Sequence, residues 1–107
     1  MITSVDYLLT CIAEECAEVA QRATKAIRFT LDEKEPGQEL TNKERLVQEF
    51  NDLYAIMEML NEMGVIDEFI NLEAIEKKKL KVEKFWEYSK AIKSGEVANY
   101  YEFCTRN

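Results

Sequence analysis

Two acidic pairs carry the chemistry this chain could do: Glu15-x-x-Glu18 and Glu49-x-x-Asp52. A spacing of three places both carboxylates of a pair on neighbouring positions of one helix face. If the two helices pack side by side, four carboxylates converge, and they cannot all stay ionised together without a counter-charge. A hard divalent cation, Mg²⁺ first, is the counter-charge suited to oxygen ligands and phosphate substrates. A plainer reading stands beside it, in which both pairs are solvated edges of amphipathic helices and contribute only a few tenths of a kcal/mol through local pairs such as Glu18–Arg22.

The elements that must position these residues are helices. Ser4 is a plausible N-cap for a first helix reaching about Phe29. At about 100° per residue, Val5, Leu8, Ile12, Cys16, Val19 and Ala23 form its apolar stripe. Glu15, Glu18, Arg22 and Lys25 form a polar row along one edge, so the acidic pair borders the core with two cations one and two turns further on. Thr30 to Leu40 reads as an acidic loop around the turn dipeptide Pro36-Gly37, either a lid over a site or a simple connection. Thr41 and Glu44 match a capping box, opening a second helix that runs to about Met63, with Gly64 ready as its C′ residue. Leu46, Val47, Phe50, Leu53, Tyr54, Met57 and Leu60 make its broad apolar face, and Glu49 sits on the edge of that face with Asp52 just beyond. A third helix is expected from about Leu72 to Ile92, burying Ile75, Val82, Phe85, Trp86 and Ile92. Its basic run from Lys77 to Lys84 reads as a solvated face, or as a source of one or two lysines for a polyphosphate. Ser94-Gly95 ends it, and the tail of about 94–107, with Tyr100, Tyr101 and Phe103, is expected to dock on the bundle or on a partner subunit.

Composition narrows the classes. The 107 residues fit a single domain, small enough that assembly into oligomers would supplement its core. Three glycines and one proline favour long helices over a turn-rich sheet protein. A net charge of −7 argues against binding nucleic-acid polymers, which need a basic surface, but leaves room for a nucleotide met through a metal. The chain has no histidine, which removes His-based catalysis and nearly every zinc site and argues against a di-iron carboxylate bundle. Cys11, Cys16 and Cys104 make no disulfide framework. The N-terminal residues lack the basic and apolar regions of a signal peptide, and no apolar stretch approaches a membrane span, so a cytoplasmic location is the expectation.

The two pairs, in order and on consecutive helices, resemble the MazG-like family of all-α nucleoside triphosphate pyrophosphohydrolases. The first reads Glu14-Glu15-Cys16-Ala17-Glu18, the fuller E-E-x-x-E form; the second reads Glu49-Phe50-Asn51-Asp52 followed by Leu53-Tyr54. The stretch from Lys79 to Phe85 is similar to the third helix of small single-domain members, so the resemblance covers about Leu8 to Ser89. The 30 residues between the pairs, 19 to 48, stand at or beyond the long end of the family's gap, which the Asp32–Leu40 loop would absorb, at the risk of reshaping the substrate pocket.

The resemblance implies an all-α MazG-like bundle of three long helices plus a short C-terminal segment, completed as a homodimer or homotetramer. It implies hydrolysis of a nucleoside or deoxynucleoside triphosphate to monophosphate and pyrophosphate, with Mg²⁺, or Mn²⁺ in its place, held by Glu15, Glu18, Glu49 and Asp52. Metal ions in such a site neutralise the phosphate chain and acidify and orient the attacking water. Glu18 or Glu49 would accept its proton. Arg22 and Lys25 are candidates for the β and γ phosphates, with Lys81 and Lys84 from the third helix, and Glu14 lies on another side of its helix. Two alternatives remain: the same site acting on a non-standard nucleotide or alarmone, and a non-catalytic helical module that binds a protein partner.

Overall fold

The computed structural model describes residues 2–106, which form four helices and no strand. They fall into two compact units, Met1–Phe69 and Ile70–Asn107. The all-α expectation holds, with three long helices and a short C-terminal one.

The first unit is a hairpin of α1 (Ser4–Phe29) and α2 (Asn42–Glu62). Thr3, not Ser4, caps α1. Its hydroxyl accepts from the Asp6 N–H at 3.1 Å and the Asp6 carboxylate accepts from the Thr3 N–H at 3.4 Å. The box needs an acceptor three residues on, which Thr3 finds in Asp6 and Ser4 would not find in Tyr7. The expected Thr41–Glu44 box opens α2, with the two reciprocal bonds at 3.2 and 3.0 Å. Gly64, at φ +74°, closes it. The Val65 N–H reaches the Leu60 carbonyl at 3.0 Å and the Gly64 N–H reaches that of Asn61 at 2.9 Å, a Schellman ending that needs the left-handed conformation glycine adopts without strain.

The helices run antiparallel: Leu8 lines a pocket with Met59 and Met63, whereas Glu15 faces Glu49 and Asp52. Their seam follows alternating spacings of three and four. On α1 the covered row is Val5, Leu8, Ile12, Glu15, Val19, Arg22 and Ala26; on α2 it is Asn42, Leu46, Glu49, Leu53, Ile56 or Met57, and Leu60. This row corrects the expected stripes. Cys16 and Ala23 are exposed and Glu15 and Arg22 take their place, and on α2 Val47 and Phe50 are exposed while Glu49 is half-buried. The physical reason is a roll of about 40° that the apolar residues alone permit; small Cys16 and Ala23 offer little area, and turning inward lets Arg22 pair with a loop carboxylate. The seam therefore has three zones: apolar around Leu8 and Leu60, acidic around Glu15 and Glu49, and basic around Arg22 and Arg45.

The loop between the helices is tied down along its length. The Asn42 and Lys43 N–H groups, free donors of the first turn of α2, reach the Glu33 and Leu31 carbonyls, each at 3.0 Å. The Asn42 side chain is fully buried and donates to the Thr30 carbonyl at 2.8 Å and to Glu33 Oε1 at 2.9 Å. Thr30 pays for this arrangement with φ 77° and ψ 160°, a region populated essentially by glycine.

In the second unit, α3 (Leu72–Lys93) starts from Asn71, whose side chain accepts the Ala74 N–H at 2.9 Å. It ends at Ser94 with Gly95 at φ +81°. The tail docks on it through α4 (Tyr100–Thr105): the Phe85 and Tyr100 rings stack at 5.4 Å, and Tyr88 meets Tyr100 and Phe103, each at 5.2 Å. Ala91 and Val97 are buried. The expected burial of Ile75, Val82, Phe85, Trp86 and Ile92 is not found; each is at least 39% exposed, because α4 has only 6 residues and shields α3 incompletely within this unit. Among the described residues no helix is long and apolar enough to cross a membrane.

Candidate metal centre

The acidic zone of the seam brings carboxylates from both helices to one point. Glu15, Glu18 and Glu49 each offer an oxygen, and the three oxygens lie within 4.8 Å of one another. Glu15 and Glu49 are half-buried between the helices and Glu18 is exposed at the rim. Asp52, expected as a fourth ligand, is exposed and lies outside this trio, close enough to act on Glu15 and Glu49 through its charge. Three carboxylates converge, then, with the fourth one turn beyond Glu49.

The electrostatics are those of an uncompensated acidic cluster. A hydrogen bond shared with Glu18 raises Glu49 to about 7, assisted by lost hydration and by the charges of Glu18, Glu15 and Asp52. Glu15 is raised by lost hydration first and then by the charges of Glu18 and Asp52. One oxygen each of Glu15 and Glu49 is shut off from solvent and has no hydrogen-bond partner. A buried acceptor without a donor is costly and needs a reason. A divalent cation fits: oxygens bound to a common Mg²⁺ lie up to about 4.2 Å apart, a little less than the 4.8 Å within which these three oxygens fall. The donor set is all oxygen, as hard cations require.

About 6 Å further along each helix, one turn from Glu18 and one turn from Glu49, the seam becomes basic with Arg22 and Arg45. Arg22 and Lys25, expected to meet phosphates, here surround a loop carboxylate. Glu35 pairs with Lys25, accepts from Arg45 Nη1 at 2.6 Å and lies 3.6 Å from Arg22 Nη1. Hydrogen bonds from Lys25 and Arg45 hold its carboxyl down at about 2. The expected Glu18–Arg22 pair is not among the ion pairs formed by the described residues. Sequence reasoning missed Arg45 and Glu35. The signal for Arg45 was its place four residues before Glu49, mirroring Arg22 four residues after Glu18; nothing distinguishes Glu35 among the loop acids.

Lys81 and Lys84 lie on α3, in the second unit. Lys81 is exposed, and Lys84 lies 5.3 Å from the Tyr100 ring centroid, with its pKa raised by hydrogen bonding to Tyr100. Glu14 is exposed on the outside of α1.

No family model, curated protein or solved structure matches the chain.

Proposed function

We infer that the chain is a Mg²⁺-dependent nucleotide pyrophosphohydrolase that cleaves a nucleoside or deoxynucleoside triphosphate to monophosphate and pyrophosphate. The observation that carries this reading is the convergence of Glu15, Glu18 and Glu49 across two helices, with orphaned oxygens on Glu15 and Glu49. A surface that merely solvates acidic residues does not turn carboxylate oxygens inward without partners. The basic zone one turn away supports it further, since a substrate laid along the seam would meet carboxylates at one end and cations at the other.

Each residue has a role. Glu15, Glu18 and Glu49 would hold the cation, with Asp52 at the edge of the set. A divalent cation there supplies charge neutralisation on the phosphate chain and a more acidic water. Glu49, half-buried between the helices, or Glu18, facing solvent, would accept that water's proton. Arg22 and Lys25 would take the distal phosphates, whose charge in the transition state they are positioned to offset. The half-covered seam and the bare apolar side of α3, with Leu72, Leu80 and Trp86 at least 63% exposed, favour assembly into a homodimer or homotetramer. That same bare surface also favours the second reading, a helical module that binds a protein partner without catalysis.

The test is product analysis with a panel of the standard ribo- and deoxyribonucleoside triphosphates, with Mg²⁺ and after its removal. Metal-dependent release of monophosphate and pyrophosphate is the expected result. Release of diphosphate and inorganic phosphate would overturn the cleavage position. Silence with the standard panel but turnover of a modified nucleotide or an alarmone would move the substrate class. Silence throughout, without metal binding, would leave the interaction module.

A further inference from the structure

Glu35 has three cationic neighbours and, among the described residues, is the one carboxylate that forms ion pairs with them. Lys25 and Arg45 hydrogen-bond to it and Arg22 lies 3.6 Å away, so the group holds three positive charges against one negative. Arg22 is 5% exposed, yet its Nε and Nη1 have no hydrogen-bond partner. A guanidinium presents five donors in a rigid fork and suits a bidentate oxyanion. One carboxylate oxygen beyond hydrogen-bonding distance does not satisfy it. The site is therefore built for more anionic oxygen than Glu35 provides.

We propose that Glu35 is the internal occupant of an oxyanion subsite made by Arg22, Lys25 and Arg45, and that a polyphosphate binds there by displacing it. Three features fit an exchangeable occupant. Glu35 is more exposed than any of the three cations, with 32% of its side chain open against 7, 20 and 15% for Arg22, Lys25 and Arg45. It comes from the loop, whose backbone is fastened to α2 through Leu31 and Glu33, so its side chain can swing out while the loop stays in place. A polyphosphate offers several oxygens and more than one charge, enough to satisfy Arg22 as well as Lys25 and Arg45. The loop thus guards the phosphate end of the seam: without substrate, Glu35 offsets part of the positive charge and keeps weaker monoanions out.

The proposal rests on the nucleotide reading only for the biological identity of the polyanion, and its test needs neither metal nor turnover. Calorimetric titration of inorganic tripolyphosphate into metal-stripped protein compares the wild type with Glu35→Gln, Glu35→Asp, Glu39→Gln and Arg45→Gln. Glu39 is exposed on the same loop, so its replacement makes the same charge change away from the subsite. Expected are binding by the wild type, about tenfold tighter binding by Glu35→Gln (about 1.4 kcal/mol), several-fold tighter binding by Glu35→Asp, which withdraws the carboxylate by one methylene, no change for Glu39→Gln, and loss of binding for Arg45→Gln. Equal affinities in the wild type and both Glu35 variants would overturn the displacement. An equal gain in Glu39→Gln would reduce it to net charge, and absence of binding in every form would remove the subsite. Binding that follows the expected pattern in a protein that hydrolyses no nucleotide would keep the subsite and sink the pyrophosphohydrolase reading instead.

Discussion

Replacing Glu49 by Gln should stabilise the metal-free protein, and the effect should grow with pH. In the folded chain Glu49 is raised from 4.5 to about 7. An acid whose pKa is raised by folding binds its proton more tightly in the native state, so stability falls as pH climbs from about 4.5 through about 7 and stays low above that. At 1.36 kcal/mol per pH unit the rise corresponds to at most about 3 kcal/mol. The rim is open to water at Glu18, and screening there brings the expected penalty to on the order of 1–2 kcal/mol. Gln has the same shape, carries no charge and can donate an amide N–H to Glu18, so Glu49→Gln avoids the penalty. For a domain of about 100 residues this predicts a Tm higher than wild type by roughly 5–10 °C at pH 8. At pH 4, below the ordinary value of 4.5, the carboxyl is largely protonated in the folded and unfolded states alike, and the two proteins should agree within about 0.5 kcal/mol. Thermal denaturation of metal-stripped protein at pH 4, 5, 6, 7 and 8 follows the trend. A variant no more stable than wild type at pH 8, or a difference that ignores pH, would refute the account of a strained acidic cluster.

Mg²⁺ should raise the Tm of the wild type, by an amount equivalent to about 2.7 kcal/mol at one hundred times its dissociation constant, and leave Glu49→Gln nearly unmoved; equal responses would show the ion binding elsewhere. The ion pairs of Glu35 hold its carboxyl at about 2, below its ordinary 4.5, so their contribution is present above about 4.5 and is lost as pH falls through about 2; acid denaturation of Glu35→Gln should therefore be flatter between those values than that of the wild type. Thr30→Gly should stabilise by about 1 kcal/mol, the relief of its backbone strain less the greater entropy of an unfolded glycine, and a loss of stability on chemical denaturation would show that the backbone there is not strained.

Much of the framework was legible because helix ends are local chemistry. Thr41 with Glu44, Gly64 and Gly95 mark boundaries through hydrogen bonds made within a few residues, and these fell where the spacing put them. The roll of α1 was not legible. Val5, Leu8, Ile12 and Val19 fix the inward direction only coarsely, and hydrophobicity alone favours Cys16 and Ala23 over Glu15 and Arg22. What tips the helix is a partner 13 residues after Arg22 in the loop, Glu35, which no local pattern reveals. The two acidic pairs were visible as pairs, yet their convergence depends on the pairing of α1 with α2. That pairing brings in Glu15, Glu18 and Glu49 and leaves Asp52 outside the trio. On α3 the apolar residues were visible as well, but amphipathicity states that a face wants cover and not what covers it; Trp86 and Leu80 are exposed within their own unit.

The central claim is that Glu15, Glu18 and Glu49 form one cation site, and Mn²⁺ titration followed by electron paramagnetic resonance reads it most directly. The spectrum of free Mn²⁺ should diminish as wild-type protein is added, recover when Mg²⁺ competes, and persist in the presence of Glu15→Gln or Glu49→Gln. Free Mn²⁺ in the presence of wild type, or equal binding by the wild type and both variants, would contradict it.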